Sequence, residues 1–297
     1  MGNNAVSARD AFSRRLLAGS VRRSYEPAVD LDWDAPLDPD GYFLPPEVVS
    51  LHGTAIWDAL PPATRRELSR QELANILSVG IWFENLLERL LLRELLHGDP
   101  TSPTAHYVLT EMGDECRHML MFGKLIERIE ARPYWPRPAG RLAISALPLV
   151  LRGNMVWVAA LVGEEIFDAV QRRILDDPQL QPIVARAMRI HVTEEARHIG
   201  FARDALARRV SHISAAERAY IRLCVAAAGP LFAALITNRH AYDRAGLDGR
   251  ACRRAALANP DARRVRAQGA AELTAFLDRN GLFGPIGKRL WRRVGLA

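Results

Sequence analysis

The sequence predicts an all-α protein, a four-helix bundle with added flanking helices, and three observations carry that prediction. No stretch reads as a β-strand. The segments EMGDECRH (Glu111 to His118) and HVTEEARH (His191 to His198) share one spacing, both end in E-x-R-H, and lie 80 residues apart. The same offset pairs Glu84, in the apolar run IWFENLL, with Glu164, in AALVGEEI, so that Glu84 to Glu115 and Glu164 to Glu195 are both separations of 31 residues. Each separation straddles a turn signal, His97-Gly98-Asp99-Pro100 in the first and Asp176-Asp177-Pro178-Gln179 in the second. Folding each half as an antiparallel helical hairpin brings its two carboxylates to one level, about 23 Å from the turn at roughly 1.5 Å per residue.

Residues 1–69 read as an irregular lead-in that wraps the bundle. It has a basic start (Arg14, Arg15, Arg22, Arg23), an Asp- and Pro-rich stretch over 30–46, and apolar anchors from Leu51 to Trp57. The bundle occupies 70–210. Its first helix is expected to start after Ser69, where Ser69-x-x-Glu72 has the form of a capping box, and to run to Leu96, before Gly98. The second runs from Thr104 to Ala131 and ends at the linker RPYWPRP (Arg132 to Pro138), too rich in proline for helix. The third spans Ala143 to Leu175, bent or begun at Pro148, and the fourth Pro182 to Arg209. Residues 211–297 add helices and a tail to the same domain. Ser214-x-x-Glu217 opens a helix to Arg244 that Pro230 should kink, and a last helix from Asp261 to Arg279 stops at Asn280-Gly281. Trp291 is expected to pin the basic tail to the body.

The chemistry sits on the fourth helix. At roughly 100° per residue, His191, Glu195 and His198 fall within an arc of about 60°. That face continues into Ile199, Phe201 and Ala202, so it looks inward. Glu115 and His118 repeat the spacing, with Glu111 in the place of His191. Two packed hairpins therefore centre Glu84, Glu115-x-x-His118, Glu164 and Glu195-x-x-His198, the ligand pattern of ferritin-like di-iron and di-manganese carboxylate proteins. Carboxylates bridge two ions and offset their charge, while each imidazole binds one. Such mixed oxygen and nitrogen donors suit iron or manganese, whereas structural zinc favours cysteine. A single E-x-x-H is common on salt-bridged helix faces; two copies with two matched glutamates at one offset are not. The 31-residue spacing selects Glu164 over its neighbour Glu165. Cys116 reads as a small core residue.

With these residues in place, the chain resembles the AurF-type (p-aminobenzoate N-oxygenase-like) non-haem di-iron oxygenases over roughly residues 50–240. His191, one turn before Glu195, is the mark of that resemblance, giving H-x-x-x-E-x-x-H. The resemblance implies two irons held by seven residues: Glu84, Glu115, His118, Glu164, His191, Glu195 and His198. Glu111, Glu88, Asp114 and Glu194 become groups that salt-bridge around them, with Arg117 or Arg197 as partners. It also implies an activity, the oxidation of an amine nitrogen by O2 toward a hydroxylamine, nitroso or nitro product. The expected cofactors are two Fe ions, with Mn as the alternative, and O2 is the co-substrate. A small-molecule amine, free or carrier-bound, is the expected substrate. No flavin or nicotinamide fingerprint occurs, so electrons come from an external reductase or reductant. Two other classes compete: a di-metal hydroxylase or desaturase acting on carbon, and a ferritin-like iron-handling protein. The residues flanking the bundle speak against the second by offering walls for a substrate pocket, to which Asn154, Trp157, Leu161, Phe167, Thr193 and Phe201 are candidates.

The bulk composition adds exclusions. The chain has 297 residues, 49% hydrophobic and 25% charged, which is ordinary globular usage. Three cysteines make no disulfide framework and point to a reducing, cytoplasmic setting. The formal charge is +6, yet no basic motif with interleaved aromatics appears, so no nucleic-acid partner is expected. The start lacks the apolar core of a secretory signal. Leu142 to Gly163 contains Pro148, Arg152 and Asn154 and reads as a buried helix of a soluble protein, not a membrane span. A homodimer is the expected assembly.

Overall fold

Four helices form the centre of the computed structural model, which describes residues 8–96, 98–136 and 138–297. Its helices are α1 (Ala8–Arg22), α2 (Pro27–Asp30), α3 (Ala55–Asp58), α4 (Pro62–Leu95), α5 (Pro103–Arg128), α6 (Pro138–Val150) and α7 (Met155–Ile174). They continue as α8 (Pro182–Ala207), α9 (Ala215–Ile236), α10 (Arg239–Arg244), α11 (Gly249–Ala258), α12 (Pro260–Arg279) and α13 (Pro285–Arg293). No strand occurs among the described residues; Tyr42 and Leu180 form an isolated bridge. The expected hairpins are α4–α5 and α7–α8, which make the most extensive helix pairings, and α4 meets α7 as α5 meets α8. His97, in the first turn signal, lies outside the described residues, as do residues 1–7.

Two apolar cores are stacked along the bundle. One joins Leu86 to Leu91 of α4 with Val156 to Val162 of α7, Phe201 to Leu206 of α8, and α9, α12 and α13. The other joins Leu68 to Leu77 of α4, Met121 to Ile126 of α5 and Ile183 to Ile190 of α8 with Leu31, Phe43, Leu51 and Trp57 of the lead-in. Between them α4, α5 and α8 carry buried polar residues at Glu84, from Glu111 to His118, and from His191 to His198. The interruption falls at the same level on all three helices.

Several boundaries differ from expectation. The first bundle helix begins at Pro62, not after Ser69, because Pro at the first helical position is pre-organised and forfeits no bond. Ser69 and Glu72 do not cap; they hold the lead-in. Ser69 Oγ accepts from Phe43 N at 3.1 Å, and Glu72 accepts from Ser50 N at 3.0 Å. The lead-in is not irregular throughout, since α1 packs on α5 and α8 through Phe12, Leu16 and Leu17.

The expected third helix is two. Pro148 lacks an N–H, Gly153 adopts φ +57°, and Arg93 Nη2 takes the Leu151 carbonyl at 2.5 Å. Leu142 to Gly163 is therefore not one buried helix: α7 is buried, whereas Leu142, Leu149 and Val150 of α6 are exposed. The helix opened by Ser214 stops at Ile236 because Asn75 Nδ2 binds the Leu235 carbonyl at 3.0 Å, and Asn238 then caps α10. Residues 215–244 are the described stretch long and apolar enough to cross a membrane by length and composition alone. Helices α11 and α13 were not anticipated. The last expected helix is α12, ended by Gly281 at φ +65°. Trp291 is fully buried, and its Nε1 donates to Val225 O at 2.7 Å, which fixes the tail.

Candidate metal centre

The fold brings six of the seven expected ligands into mutual contact. Glu195 Oε1 is the focus: His118 Nδ1 lies 3.3 Å from it, and His191 Nε2 and His198 Nδ1 each 3.5 Å. Glu115 spans both sides, with Oε2 3.0 Å from His118 Nδ1 and Oε1 3.1 Å from His198 Nδ1. Glu84 Oε1 is 3.5 Å from His191 Nε2. Three overlapping groups each place their donor atoms within 4.8 Å: Glu84, His118 and His191; Glu115, His118 and Glu195; Glu111, Glu115 and His198. The seventh residue, Glu164, points inward from α7, and Glu195, Glu115 and Glu111 are the carboxylates that bear on it.

Glu165 faces away and pairs with Arg203, whose Nε lies 3.0 Å from Oε2. Cys116 is exposed, not in the core, and donates to Glu88 Oε1 at 2.9 Å.

Burial without partners marks the site. Glu84 Oε2, Glu111 Oε2, both oxygens of Glu164 and Glu195 Oε2 are buried with no hydrogen bond among the described residues. A buried carboxylate with no compensating charge costs several kcal/mol, so a set this dense calls for cations. The donors fit two metal ions: four carboxylates can balance two divalent charges, and the unpaired oxygens and imidazole nitrogens converge.

Protonation fills the gap when metal is absent. Burial, with Glu115 nearby, lifts Glu84 well above the usual carboxylate range, and burial with Glu195 does the same to Glu164. Burial pushes Glu111 up to about 8. Burial also opposes ionisation of Glu115 and Glu195, but His198 beside both, with His118 bonded to each, holds them below that range. The same carboxylates raise His118 and His198 well above the usual imidazole range, against the effect of burial. His191 is lowered to about 4 by burial and is neutral, ready to donate a lone pair.

The outward nitrogens are also held. His118 Nε2 donates to Glu194 Oε2 at 2.9 Å, and His198 Nε2 to Asp114 Oδ2 at 3.3 Å. Arg197 reaches Asp114 at 3.1 Å and Glu194 at 3.8 Å, and Arg117 pairs with Asp114. Tyr25 N, just after α1, donates to Glu194 Oε1 at 3.2 Å. Sequence reasoning grouped Asp114, Glu194, Arg117 and Arg197 around the site but left their pairing open. It missed Tyr25 and Gln171, which no local motif reveals; Gln171 Oε1 accepts from His191 Nδ1 at 2.9 Å.

A small cavity of about 20 Å³ adjoins the centre, walled by Ile76, Leu77, Phe83, Phe122 and Phe167 and reaching Glu84, Glu164, Gln171, His191 and Glu195. Of the pocket candidates named from sequence, Phe167 alone lines it. Trp157, Leu161 and Phe201 belong to the apolar core, Asn154 is bound by Glu217 at 2.9 Å, and the Thr193 hydroxyl is bound by the Arg189 carbonyl at 2.7 Å. Phe83 lies over Gly163, where a Cβ would sit 1.8 Å from its Cζ.

Helical bundle and buried carboxylate–imidazole set together mark the chain as a di-metal oxygenase or oxidase, an O2-dependent oxidoreductase. It belongs to the P-aminobenzoate N-oxygenase AurF family, whose model matches residues 6–281. It is similar to uncharacterized proteins of Mycobacterium tuberculosis and Mycobacterium bovis, each 28% identical over 295 residues, covering 93% of this chain and 84% of the relative. Among solved structures it is similar to a variant of an R2-like ligand-binding oxidase with an aerobically reconstituted Mn/Fe cofactor. That likeness has 15% identity and a TM-score of 0.51, covers 95% of this chain and 96% of that one, and shows a shared fold.

Proposed function

We propose that the chain is an N-oxygenase that holds two iron ions through Glu84, Glu115, His118, Glu164, His191, Glu195 and His198 and oxidises an amine. The observation that carries this reading is the position of His191. Its neutral Nε2 faces Glu84 and Glu195 at 3.5 Å each, and its ring lines the apolar cavity. Manganese is the alternative occupant, as in the Mn/Fe cofactor of the R2-like oxidase.

A reduced metal pair supplies open positions and electrons for O2 activation. The chain's own residues do the rest. Glu115 and Glu195, between the imidazoles, offset charge; Glu194 and Asp114 fix the rings of His118 and His198. Phe83, Phe122 and Phe167 exclude water and disfavour an ammonium ion by desolvation, so the amine arrives with its lone pair free. One oxygen atom joins nitrogen and the other leaves as water, with two electrons and two protons drawn from an external reductant for each hydroxylamine formed.

The test is to load the protein with Fe(II), add a reductant and isotopically labelled O2, and offer aryl and alkyl amines. Label on nitrogen supports the reading. Label on carbon alone moves the chain to the hydroxylases, and iron uptake into a mineral with no oxidised organic product moves it to iron handling.

A further inference from the structure

The three imidazoles of the centre are not anchored alike. His118 and His198 bond to carboxylates, Glu194 and Asp114, and turn Nδ1 inward. His191 turns Nε2 inward and bonds through Nδ1 to an amide, Gln171 Oε1, at 2.9 Å. Gln171 lies on α7 two turns after Glu164, is 7% exposed, and shares the cavity wall with His191. His118 and His198 do not line that cavity.

The acceptor decides two things. An amide carbonyl can only accept, so it fixes the proton on Nδ1 and leaves the lone pair on Nε2, the nitrogen aimed at Glu84 and Glu195. A neutral acceptor also makes a bond roughly half as strong as a charged one and adds less basicity to the ring than a carboxylate does. We propose that Gln171 is the positioning residue that makes His191 the weaker, cavity-facing nitrogen donor of the centre, distinct from the two carboxylate-anchored histidines. The inference rests on the metal-binding reading above and adds a division of labour: His118 and His198 hold metal, and His191 tunes the side that meets substrate.

The experiment uses the full chain, Co(II) as a spectroscopic probe, and ring-nitrogen NMR of the metal-free protein. The variants are Gln171→Leu, Gln171→Glu, His191→Ala and the double variant Gln171→Leu/His191→Ala. Gln171→Leu should move the His191 proton off Nδ1 in part of the population and weaken one of two bound Co(II) ions about 10–100-fold. Its visible spectrum should approach that of His191→Ala, and the double variant should bind no worse than His191→Ala alone. Gln171→Glu, which keeps an acceptor and serves if the leucine variant does not fold, should bind Co(II) more tightly than the unaltered chain with a shifted spectrum. Unchanged affinity and spectrum in Gln171→Leu, additive losses in the double variant, or an unshifted Gln171→Glu spectrum would each overturn the role of Gln171 while leaving two-metal binding intact. An unaltered chain that fails to bind two Co(II) ions removes the metal reading and this inference with it.

Discussion

Asp114 and Glu194 occupy equivalent positions in the two halves, each one residue before a glutamate of the centre, and each anchors the histidine of the opposite half. Glu194, on α8, accepts from His118 of α5, and Asp114, on α5, accepts from His198 of α8. The internal repeat thus extends past the inward-facing donors to the groups that orient them, and it ties the hairpins together by crossing. Asp114→Asn and Glu194→Gln should fold but lower metal affinity about 10–100-fold, because a carboxylate acceptor raises the basicity of the ring it holds. Metal titration checks this, and unaltered affinity in both variants would show the crossed bonds to be structural only.

Glu164 and Glu165 are neighbours with opposite fates, and substitution should separate them. Glu164→Gln removes a carboxylate that has no hydrogen-bond partner, so metal stoichiometry or affinity should fall with little loss of stability. Glu165→Gln should keep both metals and cost about 1–3 kcal/mol, since it strips Arg203 of a charged partner. Metal analysis beside urea unfolding decides, and the reverse pattern would assign the ligand to Glu165.

Metal and protons compete for one site. In the metal-free chain the surrounding carboxylates favour the protonated forms of His118 and His198, and burial favours the protonated forms of Glu84 and Glu164. Loading should therefore release protons, and apparent affinity should rise with pH. Binding in a weakly buffered solution containing a pH indicator measures this directly; loading without proton release would contradict the protonation pattern.

Glu72 makes stability depend on pH away from the centre. Burial lifts it from 4.5 to about 7, against bonds from Ser50. A carboxyl whose pKa is raised by folding binds its proton more tightly in the folded state. Stability therefore falls as pH rises from about 4.5 to 7 and levels off above, by about 3 kcal/mol. Glu72→Gln should flatten that decline in unfolding experiments at pH 5 and 8. A decline of equal size in the variant would place its origin elsewhere.

Gly163 is needed because Phe83 occupies the space of a Cβ. Gly163→Ala should cost about 1–3 kcal/mol by overpacking, and the same substitution in a Phe83→Ala background should cost little. Thermal unfolding of the single and double variants tests this, and an unaffected Gly163→Ala would mean that Phe83 moves aside freely.

The sequence by itself determined the all-α bundle and the residues that gather at its centre. Helical periodicity and a repeat offset act along one chain, so Glu84, the two E-x-x-H segments, Glu164 and His191 were legible without coordinates. The same offset, applied to the flanking residues, pairs Asp114 with Glu194 and Arg117 with Arg197. Tertiary structure decided what depends on contact between distant segments. Ser69 and Glu72 carry a helix-start signal but sit inside α4, because Phe43 and Ser50 of the lead-in claim their side chains. Gln171 and His191 are brought together by the packing of α7 on α8, as Tyr25 is brought to Glu194 by the path of the lead-in. The cavity follows the same rule: Ile76, Phe83, Phe122 and Phe167 come from three helices, and which apolar side chains bound a hollow is fixed only when helices pack. Spacing specifies which groups share a face, whereas the partner each group meets across the interface is a property of the assembled fold.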